Sequence, residues 1–391
     1  MDGRSKHPGD TQVLKDEPAR SVWLDVLRGL AIFGVVAVHS ILTTDVIVLD
    51  NKSEVFFRLI CLGKYGVELF FFLSGWLLAS IYGLQGKRLG KDYWARRVGR
   101  IYPLWLLFLF IGFLRWEFTS YGNLAPPNRA IETQSTFLHS TPGVLFLTLS
   151  FTLFVSASLW NGVIPGGWSI QAEVAHYLIF PIIRNRSLNT VLKVAAFVNF
   201  LTSITLFARE KLDSLPIIFL KIIDAWFRLS LYSTFGYFLI GILGFTIFSQ
   251  LKKSQTTDLK FSDLKISHNT IIVYSLSLLI IPCPFGNQIE AIGYLTLMVV
   301  ISFAILRNQK LSTGFRFLGR HAYFIYFMHF LALESVEWFV QSTKFTTSQL
   351  GSQQLVFLLI FLYSLTISSL LALPSMKYFE RPILGMAHKV K

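Results

Sequence analysis

Charge is scarce in this chain of 391 residues: Asp, Glu, Lys and Arg together make up 15% of it, where soluble proteins average about 25%. Too few polar groups are present to cover a water-facing surface, which excludes a cytosolic enzyme and a disordered chain. Cysteine is nearly absent, with Cys61 and Cys283 the only two, so neither a disulfide scaffold nor a CxxC metal cluster can be built. The two read as unrelated thiols, and no metal site is expected. Internal repeats are missing as well. What is present is apolar: hydrophobic residues make up 53%, aromatics 15%, and the mean hydropathy is +0.54. The net charge of +14 raises nucleic acid as a partner, but the positions of the charges argue against it.

Crossing about 30 Å of hydrocarbon takes an apolar helix of roughly 17 to 25 residues. Ten such segments are expected: Val22 to Leu42, Gly66 to Gly83, Ile101 to Trp116, Trp168 to Ile183, Thr190 to Phe207, Leu229 to Ser249, Asn269 to Pro284, Ile289 to Leu306, His321 to Gln341 and Leu355 to Pro374. An eleventh run, Val144 to Leu159, is ambiguous. With ten spans, the connecting segments on one side hold 26 Lys and Arg against 10 on the other; with eleven, the split is 16 against 20. Positive charge stays in the cytoplasm, so the reading is an all-α, polytopic membrane helix bundle of about ten transmembrane helices with both termini cytoplasmic. Val144 to Leu159 then re-enters from the outer face. Residues 1–20 read as a flexible cytoplasmic tail, 21–383 as the membrane domain, and 384–391 as a second tail. A cleavable signal competes for the first apolar run, but its charged region is long, its core wide, and no small-x-small site follows.

An ionisable group at membrane depth is costly without a partner or a water-filled cavity, so such groups mark candidate sites. The first span, LDVLRGLAIFGVVAVHS, carries Asp25, Arg28 and His39. Arg28 and His39 are eleven residues apart, near three full turns, so they share a helix face about 16 Å apart. Pairing of Arg28 with Asp25 at i, i+3, and a packing role for His39, are the competing structural readings. In the fourth span Glu173 and His176 stand at i, i+3, and Glu173 lies at a depth similar to that of His39. A carboxylate bonded to an imidazole fixes its tautomer and supports its protonated form, as a general base requires. His176 by itself reads as structural.

In the second span, Ser74-Gly75 suits close backbone packing better than a nucleophile, since no GxSxG elbow surrounds it, and Glu68 is buried or pore-lining. Ahead of the third span, Arg97 and Arg100 at i, i+3 present two guanidinium forks, which suit phosphate on a ligand or a lipid headgroup. His329 falls near mid-membrane, with Tyr323 and Tyr326 two turns and one turn before it. Glu380-Arg381-Pro382 is expected to halt the last helix.

Taken in order, these segments resemble the type 3 membrane acyltransferases, integral-membrane O-acyltransferases of surface polysaccharides. The elements are the R-x10-H pair of Arg28 and His39, FFFLSG at Phe70 to Gly75, the RRxxRIYP-like stretch at Arg96 to Pro103, the WSI…E stretch at Trp168 to Glu173, GRHAYFIYFMH ending at His329, and the terminal ERP. The resemblance implies a multi-pass protein of a bacterial plasma (inner) membrane that takes an acyl group from cytoplasmic acyl-CoA, commonly acetyl-CoA. The group passes to a hydroxyl of a surface carbohydrate or lipid-linked glycan; macrolide, peptidoglycan and lipid headgroup acceptors stay open. It further implies that Arg28, Arg97 and Arg100 attract the coenzyme's phosphates, that His39 held by Glu173 is the general base, and that Ser74, Trp168, Ser169 and His329 shape the cavity. A covalent acyl-enzyme is an open alternative. Unlike some members, the chain shows no extra helix or hydrolase-like domain after the tenth span, so it is expected to complete the transfer itself or with a separate partner. A proton-coupled transporter or flippase fits the buried ionisable groups equally, but no pair of repeated halves supports it.

Overall fold

The computed structural model describes residues 22–42, 54–83, 89–121, 149, 164–184, 186–209, 231–254, 267–280, 288–343 and 352–388. Among them there is no strand, and the described parts of the ten expected apolar segments fall on helices; residues 229–230 and 281–284 lie outside the described residues. In chain order these are α1 (Val22–Leu42), α2 (Glu54–Cys61) with a 3-10 turn at Leu62–Tyr65, α3 (Gly66–Tyr82), α4 (Lys91–Tyr121), α5 (Gly167–Arg184), α6 (Leu188–Arg209) and α7 (Leu231–Ser254). They continue with α8 (His268–Ile280), α9 (Gln288–Leu306), α10 (Gln309–Arg320), α11 (Ala322–Thr343), α12 (Gln353–Ser375), a π turn at Met376–Glu380, and α13 (Arg381–His388). Among the described residues three helical stretches are long and apolar enough to cross a membrane: Val22–Ile41, Ile289–Leu306 and Gln353–Ile383. The 1–20 tail, most of Val144 to Leu159 and Cys283 lie outside the described residues; of that apolar run only Leu149 is described, and its carbonyl accepts from the Tyr102 hydroxyl at 3.2 Å.

α1 is the hub. Its apolar stretch is 83% buried, against 28% and 39% for the other two, because it is surrounded by α3, α9, α10, α11 and α12. Its sequence explains why: Val26, Leu27, Ala31, Ile32, Val35 and Val36 bury side chains all round the helix, which suits a central element rather than an amphipathic one. α10, a polar connecting segment by composition, is a short helix started by Asn308, whose side chain accepts from the backbone N–H of Lys310 and Leu311 at 3.1 and 3.2 Å. It packs against α1 with the backbones in contact: a side chain on Gly319 would collide with the Asp25 carbonyl, and one on Gly29 with the Phe315 carbonyl.

The expectation that Gly75 allows close backbone approach holds. α3 and α7 cross there, Gly75 against the Phe238 carbonyl and Gly241 against the Phe72 carbonyl. His176 is a fully buried packing residue, stacked on Phe238 at 4.7 Å between ring centres and edge-on to Phe71, with Nε2 3.2 Å from Thr234 Oγ1.

One boundary needs correction. Glu380-Arg381-Pro382 does not halt the last helix, which widens through the π turn and continues as α13 to His388. Pro382 follows directly on the π turn, where the Arg381 N–H already donates five residues back to the Met376 carbonyl, and this wider turn lets the chain pass the proline without a break.

Candidate active site

Two polar groupings stand at opposite ends of α1. At its N-terminal end Arg28 Nη1 lies 3.4 Å from Asp25 Oδ1, both side chains buried, and Arg320 at the end of α10 reaches Asp25 Oδ2, also at 3.4 Å. The spacing-based pairing of Arg28 with Asp25 is therefore present, and Arg320 joins it through the fold. Asp25 thus lies between two guanidiniums.

Arg97 belongs to the neighbouring α4. Its side chain is buried, lying over the ring of Tyr82 at 5.8 Å and that of Tyr177 at 5.3 Å, a cation held against two π faces. Its Nε and Nη1 are buried with no hydrogen-bond partner among the described residues. The Tyr177 hydroxyl donates to Glu173, its i−4 neighbour on α5, while the Tyr93 hydroxyl donates to the Tyr177 carbonyl at 2.8 Å. Arg100, Glu173 and Glu380 lie near Tyr323 at the start of α11. Arg184, the last residue of α5, donates to the carbonyls of Tyr82 and Gly83 at 2.7 and 3.1 Å and so caps the end of α3. Arg96 is paired at the surface with Asp92.

At the other end of α1, His39 is half-buried. Its ring centre lies 5.2 Å from that of His329 and 4.7 Å from that of Phe330, both on α11. His39 Nδ1 is 2.8 Å from the Val35 carbonyl and His329 Nδ1 is 3.1 Å from the Ile325 carbonyl. A carbonyl can only accept, so each Nδ1 carries the hydrogen and each Nε2 keeps a lone pair. Next to this pair Ser169 Oγ lies 2.8 Å from the Tyr326 hydroxyl and 3.0 Å from the Gly166 carbonyl. Gly166 has φ +73°, and a side chain there would come within 2.8 Å of Phe330 and 2.9 Å of the Tyr326 hydroxyl, so glycine is required on both counts.

The structure thus gathers the expected residues into two groups and changes the membership of one. Arg97, Arg100 and Glu173 fall together, with Arg28 and Asp25 at the same end of α1; His39, His329 and Ser169 make the other group. Among the described hydrogen bonds none joins His39 to Glu173: Glu173 takes Tyr177, and the ring against His39 is His329. The reason is helical phase. Glu173 shares its face with Tyr177 four residues on as well as with His176, and the fold turns His176 into the α3–α7 contact. Trp168 is buried near Phe71, ring centres 6.5 Å apart. Ser74 lies one turn along α3 from Phe70, whose ring is 6.5 Å from that of Tyr326. Residues that the sequence reading did not single out for the site are Tyr82, Tyr177 and Arg320, with Glu68, which acts electrostatically on Tyr326, brought in from α3. For Tyr177 the i, i+4 spacing from Glu173 was an available signal.

Residues 21–373 match the model of a family described as an acyltransferase domain, Acyl_transf_3. Acyltransferase MdmB of Streptomyces mycarofaciens is 26% identical over 187 residues, covering 42% of this chain and 40% of that protein. The putative peptidoglycan O-acetyltransferase YrhL of Bacillus subtilis (strain 168) is 32% identical over 124 residues, 30% of this chain and 19% of that protein. Protein 2 in the picA locus of Rhizobium radiobacter is 28% identical over 165 residues, 40% of this chain and 78% of that protein. The chain therefore spans less than half the length of the first two. No solved structure matches.

Proposed function

The chain belongs to the acyltransferase family matched over residues 21–373, and from that premise we propose that it moves an acyl group, acetyl in the first instance, from cytoplasmic acyl-CoA to a hydroxyl of a surface glycan or related acceptor. It is an O-acyltransferase of the membrane; the donor, the acceptor, the ten-span topology and the inner-membrane location are our reading. The observation that carries it is His39, a half-buried imidazole whose Nδ1 is committed to the Val35 carbonyl and whose Nε2 therefore offers a lone pair.

In this reading the Arg28 end of α1 faces the cytoplasm, as the distribution of Lys and Arg favours. Arg97, with two buried nitrogens that have no partner among the described residues, and Arg100 meet the phosphates of the coenzyme. Glu173 holds Tyr177, and Tyr177 holds the Arg97 guanidinium flat, so Glu173 acts on donor binding rather than on His39. The donor's thioester reaches toward His39 along α1. His39 Nε2 takes the proton of the acceptor hydroxyl as its oxygen attacks the acyl carbonyl; the C–S bond breaks and the thiolate leaves as the thiol with that proton. Ser169, Tyr326 and Trp168 wall the cavity, and no metal is called for.

The test is thiol release from acetyl-CoA by the purified protein in lipid nanodiscs, with and without His39→Ala. Release that is unaffected by that substitution, in protein that melts normally, would refute the assignment. Mass spectrometry of surface glycans from cells with and without the gene identifies acceptor and acyl group together.

A further inference from the structure

Among the described hydrogen bonds and ion pairs, none gives His39 a carboxylate beside which its gained proton could rest. A newly formed imidazolium in apolar surroundings needs an acceptor, and among the described hydrogen bonds Glu173 does not provide one. The ring that faces His39 is His329. It is fully buried, its Nδ1 is bound to the Ile325 carbonyl, and its Nε2 lone pair has no partner among the described residues. Phe330 covers both rings, its centre 4.7 Å from that of His39 and 4.1 Å from that of His329.

We propose that His329 is a positioning residue for His39, and that the two imidazoles share through their Nε2 atoms the single proton taken from the acceptor hydroxyl. This rests on the acyl-transfer reading above. A hydrogen bond of about 2.9 Å between two ring nitrogens sets the ring centres roughly 5 Å apart, and these stand at 5.2 Å. In the resting state both Nε2 atoms are acceptors, so they have nothing to share and no bond forms. One proton converts the pair into donor and acceptor. The balance is simple: the hydroxyl O–H bond breaks and the proton goes to the pair, the C–O bond forms, the C–S bond breaks, and the proton passes from the pair to the departing sulfur. Nothing is oxidised or reduced. The tautomer of both rings is fixed by the helix backbone, each bound to the carbonyl four residues earlier, which leaves Nε2 as the free nitrogen of each ring.

The experiment compares wild type, H329Q, H329L and H39Q in nanodiscs, with acetyl-CoA as donor probe. Glutamine can place an amide acceptor near the position of Nε2; leucine fills space without one. A charge-assisted hydrogen bond lost from the transition state is expected to lower kcat about 10- to 100-fold in H329L, with KM for acetyl-CoA unchanged, and H329Q is expected to recover much of that. Equal losses in H329Q and H329L, or a change in KM alone, would show a packing or binding role and overturn the proposal; so would a wild-type rate in H329L. A second arm needs no activity. In protein carrying 15N-histidine, lowering the pH is expected to produce one shared-proton signal that disappears in both H39Q and H329Q. A signal of His39 that ignores H329Q overturns the pairing. If wild type releases no thiol while the shared signal is present, the acyl-transfer reading fails and the pair stands.

Discussion

The two ends of α1 solve the same problem in opposite ways. At the Arg28 end, charge is kept and compensated: Asp25 serves two arginines, Arg97 lies against two tyrosine rings, and Glu173 accepts from one of those tyrosines. At the His39 end no ion pair touches the imidazoles among the described residues; they are held by backbone carbonyls and aromatic rings. Permanent charge is suited to holding a charged ligand, and a group that can be neutral is suited to moving a proton. Binding and proton transfer are therefore separated along one helix, and the substitutions that follow ask how complete that separation is.

The largest effect is expected from backbone packing rather than from either polar grouping. Gly319→Leu drives a side chain into the Asp25 carbonyl and is expected to abolish folded protein, read as loss of the monodisperse peak in size-exclusion chromatography. His39→Ala follows, with thiol release down about 100- to 10,000-fold and the midpoint of thermal unfolding little changed. Arg97→Ala with Arg100→Ala is expected to work the other way round: KM for acetyl-CoA rises about 10-fold or more and the donor no longer protects against unfolding, while a saturated enzyme keeps much of its kcat. A fall confined to kcat in that double variant would break the division. Asp25→Ala leaves Arg28 without this carboxylate in a buried position and is expected to cost about 3 kcal/mol of stability, seen as a lower unfolding temperature. Tyr177→Phe is the smallest: it frees Glu173 but keeps the ring under Arg97, so a change in KM of only a few-fold is expected, with kcat untouched.

Local features were legible in the sequence wherever one helix decides them. The apolar segments appear as helices, the Arg28–Asp25 pair follows from i, i+3 spacing, and Ser74-Gly75 marks a real backbone crossing. What spacing could not provide is which helix meets which. His39 and His329 are 290 residues apart in the chain, and nothing in either segment specifies that they meet. Glu173 offered two equally spaced readings, toward His176 or toward Tyr177, and only the packing of α5 against α3 and α7 decided between them. α10 escaped notice because its polar composition hides a three-turn helix behind a plain linker, although Asn308 is a good start signal. The π turn before α13 has no clear sequence signature, since proline usually ends a helix and here is absorbed.

The glycine crossing between α1 and α10 has a mechanical implication. Where two backbones touch without intervening side chains there is no slack, so the rod that carries both arginine and histidine cannot slide or rotate past its neighbour without breaking contact outright. Its span between the two chemistries is a fixed ruler. Any substrate that works here must fit that length, and whatever opens to admit one must be a different helix.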